Sequence, residues 1–238
     1  MPRIPRSSRF LIPNLITGTN IAIGFCSMLA AAQGRFDTAV HLLVLALFCD
    51  LFDGLLARLL KATSRFGQQL DSLSDAISFG AAPALLVYLA ILHELGTAGV
   101  VVAVAFLLAG VLRLARFNLL SDAHEKDRRT LGAPIPIGAA YLMAAVLMRD
   151  AMTAHATAFL VVVMALLMVS TIRLPQLKGR SVVTWMLLVG IGNYLAVIAW
   201  PSWKTVIWWN LWNVVILVTA AVTERRRPHE EPEIAGVP

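Results

Sequence analysis

Apolar segments close to the length of a membrane span follow one another along almost the whole chain, and nothing else restricts its fold so strongly. Their approximate bounds are 14–32, 38–60, 69–92, 97–120, 134–149, 153–172, 182–200 and 204–223. A helix needs about 20 apolar residues to cross a bilayer core of ~30 Å, and most of these segments approach that length. Charged residues make up 14% of the chain, against about 25% in a soluble domain. The expected fold is therefore an all-α, polytopic membrane protein. The fifth segment is short and opens with Pro134 and Pro136. If it joined the sixth as one re-entrant unit, eight spans would become six.

Charge placement tests the count. The formal net charge is +6, carried by 20 basic residues. With eight spans both termini share one side, and only Arg35, Arg149 and Lys204 fall on the other. The remaining 17 (20 less 3) include Arg3, Arg6, Arg9, Arg58, Lys61, Arg65, Arg113 and Arg116. Such a bias marks the cytoplasmic side. Because the charge sits in short loops and at the termini, with no aromatic-interleaved basic face, nucleic acid is not an expected partner.

The chain divides into three parts. Residues 1–12 place arginines among apolar side chains and either lie in the headgroup layer or only set orientation. Residues 13–223 form the transmembrane domain, and 224–238, with Pro228, Pro232 and several glutamates, read as a disordered tail. Cys26 and Cys49 lie in apolar segments and imply no disulfide framework. Trp200, Trp203, Trp208, Trp209 and Trp212 read as an interfacial belt.

Against this background the run Asp50–Asp75, DLFDGLLARLLKATSRFGQQLDSLSD, stands out. Carboxylates within membrane segments are costly and mark function. Asp50 and Asp53 are three apart and Asp71 and Asp75 four apart, so each pair shares a helix face. Two helices joined around Lys61–Phe66 would run antiparallel and bring the four acids together. Such a cluster calls for positive charge, and divalent metal bound through oxygen is the candidate. Two ions there would suit a charged phosphate substrate. Gly54 and Ala57 clear space beside Asp50 and Asp53, or simply allow close helix packing. Arg58 either meets a phosphate or reaches to the headgroups.

The spacing D-x2-D-G-x2-A-R-x8-G-x3-D-x3-D, filled by Asp50, Asp53, Gly54, Ala57, Arg58, Gly67, Asp71 and Asp75, resembles the signature of the CDP-alcohol phosphotransferase family at all eight positions. That resemblance implies a six-helix catalytic core, usually in a homodimer, here with about two extra C-terminal transmembrane helices. It implies Mg²⁺ or Mn²⁺, as two ions, held by Asp50, Asp53 and Asp71. Asp75 would be the general base, also touching the second ion. Gly54, Ala57, Arg58 and Gly67 would wall the CDP group. Thr63–Ala84, Arg113–Asn118, Gly132–Ala140 and Pro13–Thr17 further resemble the phosphatidylserine synthase branch, with a likeness that covers about residues 10–150. Ala133 stands where that branch has a bulkier residue. The implied substrates are CDP-diacylglycerol and L-serine, with membrane lipids as surroundings, in the inner or plasma membrane and with the site facing the cytoplasm. Arg113 or Arg116 would hold the serine carboxylate, or both are ordinary cytoplasmic-side arginines. The alternatives are another acceptor, such as glycerol 3-phosphate or an inositol phosphate, and an ion-coupled transporter. Transporters place their sites near the midplane, whereas these acids approach a helix end.

Overall fold

The computed structural model describes residues 6–60, 62, 64–122 and 132–171, with isolated positions 192, 195, 199 and 200, and not the side chains of 6–10, 58 and 120–122. The expected spans 182–200 (those positions apart) and 204–223, the tryptophans after Trp200, the tail 224–238, residues 1–5 and the loop 123–131 lie outside it. The elements below belong to the compact unit Met1–Ile172.

Every regular element among the described residues is helical. They are α1 (Arg6–Ala32), α2 (Phe36–Leu59), α3 (Arg65–Asp75), a π-helical turn (Ala76–Ala81), α4 (Ala82–Ala90), a 3₁₀ turn (Leu92–Leu95), α5 (Thr97–Asp122), α6 (Ile135–Leu147) and α7 (Ala154–Val169). Four stretches are long and apolar enough to cross a membrane: Leu11–Ala32, Phe36–Ala57, Arg65–Ala90 and Thr97–Leu119. The protein is thus an all-α, polytopic integral membrane protein. With α6 and α7, the described residues hold six rods. α6 and α7, of 13 and 16 residues, rise only about 20 and 24 Å.

Packing follows the logic of a bilayer. On α1 the buried positions are Pro13, Thr17, Asn20, Gly24, Ser27, Ala30 and Ala31, a face that recurs at threes and fours. These residues are mostly small or polar, whereas Leu11, Leu15, Phe25 and Leu29 face outward. Lipid already solvates leucine, so helices associate through small side chains and hydrogen bonds instead. Ser27 donates to the Ala39 carbonyl of α2, and Ser78 of the π turn donates to the Asn20 carbonyl. At Gly24 a Cβ would collide with the Ser78 side chain and backbone.

Turns set the antiparallel order. α1 ends on Gly34, whose φ of 73° is the left-handed conformation that glycine adopts without cost. The Arg35 N–H bonds the Ala30 carbonyl and the Gly34 N–H that of Ala31, a Schellman closure. α3 starts on a Ser64 cap whose hydroxyl accepts from the Gly67 N–H at 3.0 Å. Its start at Arg65 precedes the expected 69, because the first turn, RFGQQ, is polar and escapes a search for apolar runs. Pro83 offers no N–H to the Phe79 carbonyl, and the chain widens into the π turn just before it, with the Ala82 N–H reaching back to Ile77.

One end of the bundle is closed by Arg149, after α6, which pairs with Asp37 at 2.7 Å and covers the Phe36 ring. This puts Arg35, at the α1–α2 turn, and Arg149 at the same end, as the charge count expects. At the opposite end the Ala133 N–H bonds the Leu167 carbonyl, and Gly132, at φ 73°, passes so close to Met168 that a Cβ would strike its carbonyl. Arg116 of α5 donates to the Val169 and Ser170 carbonyls at 3.0 Å each and to that of Met168 at 3.5 Å, so its guanidinium caps α7.

The α1–π-turn contact gives a stability prediction. Gly24→Ala overpacks the seam and is expected to destabilise the protein by about 1–3 kcal/mol. Gly18→Ala, at a position with open space around it, should have no such cost. Thermal unfolding in detergent compares the two, and equal midpoints would contradict the packing described.

Candidate active site

At the end opposite Arg149, α1, α2, α3 and α5 converge. Asp50 and Asp53 come from the last part of α2, six to nine residues before its end at Leu59, or about 9–14 Å inside it. Asp71 and Asp75 come from α3, which packs against α1 and the π turn. One carboxylate oxygen from each of Asp50, Asp53 and Asp71 lies within 4.8 Å of the others. One cation ligating oxygens at about 2.0–2.6 Å can span that spacing. Asp75 joins the same cluster through a hydrogen bond between its carboxyl and that of Asp50, and its Oδ1 is buried with no bonding partner. The four acids therefore come together as their spacing predicts. An all-oxygen, carboxylate donor set among apolar helices fits a hard divalent cation, which would offset the mutual repulsion of the acids.

Small residues of the signature stand beside them. A cavity next to the acids is lined by Thr17, Asp53, Gly54, Ala57, Gly67 and Asp71. Gly67 is confined on two sides, since a Cβ there would meet the Ser64 hydroxyl at 3.2 Å and Asn14 Oδ1 at 3.3 Å. The Arg58 side chain lies outside the described residues.

The two α5 arginines have different surroundings. Arg113 is 8% exposed, its Nε has no hydrogen-bond partner, and it lies within electrostatic reach of Asp75. Arg116 points instead to the α7 carbonyls described above. Asn118, one turn from Leu114 on the same helix, exchanges hydrogen bonds of 3.1–3.2 Å with Ser72 and ties α5 to the acid-bearing helix.

Thr17 stands among the site residues without having been anticipated in that role. Its hydroxyl donates to Asp53 Oδ2 at 2.6 Å, across 36 positions of sequence. Ser74 lies 3.5 Å from the Thr17 carbonyl. The only sequence signal was the stretch Pro13–Thr17, which fits the family but names no partner for the hydroxyl.

These features define a class: an integral membrane protein with a carboxylate centre suited to a divalent cation, sited near one end of its helix bundle. Comparison with known proteins places it more closely. The family model for CDP-alcohol phosphatidyltransferase matches residues 10–172, and the chain belongs to that family. The match runs beyond the expected limit near residue 150, through α7. Among curated relatives, a CDP-diacylglycerol–serine O-phosphatidyltransferase of Helicobacter pylori is 35% identical over 181 residues, covering 74% of this chain and 76% of the relative. One of the same name from Bacillus subtilis is 32% identical over 171 residues, covering 71% and 93%. An archaetidylserine synthase of Methanothermobacter thermautotrophicus is 33% identical over 183 residues, or 75% of each chain.

The cluster predicts cation binding that depends on each acid. Asp50→Ala, Asp53→Ala and Asp71→Ala are each expected to weaken binding of Mn²⁺ to purified protein by more than about tenfold. Electron paramagnetic resonance of unbound Mn²⁺ measures this directly, and wild-type affinity in all three variants would remove the centre.

Proposed function

We propose that the protein transfers the phosphatidyl group of CDP-diacylglycerol to L-serine, giving phosphatidylserine and CMP. The observation that carries this reading is the convergence of Asp50, Asp53 and Asp71 beside a glycine-lined cavity, in a chain whose relatives are named for serine transfer.

In this reading Asp50, Asp53 and Asp71, with Asp75 beside them, would hold Mg²⁺ or Mn²⁺, as two ions. Bound there, the metal would supply positive charge against the pyrophosphate and the departing CMP. Gly54, Ala57 and Gly67 leave room for the CDP group to lie against the backbone, and Arg58 meets its phosphates. The serine hydroxyl attacks the phosphorus that carries the diacylglycerol, its proton passes to Asp75, and the bond from that phosphorus to the CMP oxygen breaks. Asp75 has the means for this, with a buried carboxyl one turn beyond Asp71 and an oxygen not engaged by the protein. A neutral hydroxyl reacts slowly until such a base takes its proton in the transition state.

The acceptor's carboxylate is assigned to Arg113. A buried guanidinium with an uncommitted Nε, within electrostatic reach of the base, suits an α-carboxylate near the reacting hydroxyl. Arg116, engaged with α7, then supports the site's frame and does not touch serine. The catalytic domain is residues 13–223, flanked by the interfacial segment 1–12 and the tail 224–238. It works as a homodimer in the inner or plasma membrane, with the site on the cytoplasmic face.

Four measurements test this. Purified protein with CDP-diacylglycerol and Mg²⁺ or Mn²⁺ is offered serine, glycerol 3-phosphate and inositol phosphate in parallel. CMP release with serine alone is expected, and release with a phosphorylated alcohol instead would transfer the assignment to that acceptor. Asp75→Asn should lower kcat by about 10²–10⁴-fold while CDP-diacylglycerol still binds. Near-normal turnover would exclude Asp75 as the base. Arg113→Gln removes a charge-assisted contact of about 1.5–3 kcal/mol, so KM for serine should rise about ten- to a hundredfold with KM for CDP-diacylglycerol little changed. Arg116→Gln should lower thermal stability instead.

A further inference from the structure

We infer that Thr17 is a positioning residue for the metal centre: its hydroxyl fixes the Asp53 carboxylate in the orientation that binds the cation. The inference rests on the metal-centre reading above and adds to it a residue from a third helix.

Asp53 is the most buried of the acids, at 3% exposed, and Thr17 is 4% exposed. Their contact, 2.6 Å from Thr17 Oγ1 to Asp53 Oδ2, is in the short range of a hydroxyl bonded to an ionised carboxylate. The same hydroxyl also lies 3.0 Å from the Pro13 carbonyl of its own helix. A threonine hydroxyl has one proton, and the carboxylate, being closer and charged, is the stronger acceptor. Asp53 is held a second time by the Gly54 backbone N–H. Two donors, the Thr17 hydroxyl and the Gly54 N–H, restrict rotation of the carboxylate.

The geometry of α1 keeps the hydroxyl there. Thr17 belongs to the buried seam that also carries Asn20, Gly24 and Ser27, and β-branching leaves its χ1 few choices. The α1 backbone at this point is itself tied to α3, since Ser74 lies 3.5 Å from the Thr17 carbonyl. Thr17 thus joins the helix of Asp53 to the helix of Asp71. Hydrogen-bond donors behind metal-binding carboxylates typically hold 10–100-fold of metal affinity.

The test uses Mn²⁺ alone with the full-length protein in detergent, so no substrate identity enters it. Thr17→Val keeps shape and removes the hydroxyl, and should weaken Mn²⁺ binding by about 10–100-fold. Thr17→Ser restores the donor and should return affinity to within a few-fold of wild type. Unfolding in metal-free buffer reports on folding separately, and the Val variant, less stable by one buried hydrogen bond, is expected to remain folded at the assay temperature. Wild-type Mn²⁺ affinity in Thr17→Val overturns the inference, as does equal weakening in Val and Ser variants. If Thr17→Val does not fold, Thr17→Ser and Thr17→Ala decide: affinity kept in Ser and lost in Ala supports the inference, while equal affinities overturn it. Asp53→Ala distinguishes the two levels of argument. If it binds Mn²⁺ like wild type, Asp53 does not hold the cation, and the role of Thr17 falls with it. If it does not, a failure at Thr17 concerns Thr17 alone.

Discussion

Four carboxylates in one small volume, between helices that face lipid, repel one another, and all but Asp71 are partly or fully withdrawn from solvent. The remainder of the bundle can be understood as the means of keeping them together. Asp50 and Asp53 sit about 9–14 Å inside the end of α2, near enough to water for a charged substrate and far enough in for the lipid part of that substrate to stay in the bilayer. Small residues at Gly54, Ala57 and Gly67 keep bulk away from them. Hydrogen bonds from Thr17 and from the Gly54 N–H hold Asp53, and Ser72 with Asn118 anchors the helix that carries Asp71 and Asp75. Such polar ties between helices are worth more attention here than apolar contacts, since lipid competes with the latter.

A membrane catalyst of this kind resembles a transporter in composition and differs in where it spends its polar residues. A transporter needs a pathway that opens at both ends, with its site near the midplane. Here the polar residues crowd toward one end, while the other is closed by the Arg149–Asp37 pair and the Schellman turn at Gly34. An exposed ion pair of that type contributes little to stability, about 0–1 kcal/mol. Its main effect is on the arrangement of the α1–α2 turn and the end of α6.

Much of this was legible in the sequence, for identifiable reasons. Apolar runs near the length of a span gave the helices Leu11–Ala32, Phe36–Ala57, Arg65–Ala90 and Thr97–Leu119 because lipid imposes one composition on their outward faces. Asp50, Asp53 and Asp71 were legible because spacings of three and four have one meaning on a helix, and charge in a membrane has few innocent explanations. Thr17 was not legible as a partner of Asp53, because an unremarkable threonine acquires its role through a contact 36 residues away. Nor was the division of labour between Arg113 and Arg116. They are three residues apart on one helix, yet one lies near Asp75 and the other reaches the end of α7, which depends on neighbours that periodicity does not encode. The two-residue and four-residue shifts at the starts of α2 and α3 have a common cause: polar first turns do not look like membrane.

The π turn at Ala76–Ala81 has a further effect on the span that contains it. An α-helix advances about 100° per residue, so one residue more or less swings every later side chain to another face. A turn with i→i+5 bonds accommodates one extra residue without breaking the rod. It therefore acts as a phase adjuster between two halves with different tasks. The first half must aim Asp71 and Asp75 at α2, and the second must bury Ala82, Ala84, Leu86 and Val87. A single-residue deletion in this turn would leave the composition of the span almost unchanged, yet its acidic and apolar faces would fall out of register. The spacing between the acids and Pro83 is thus as much a part of the site as the acids are.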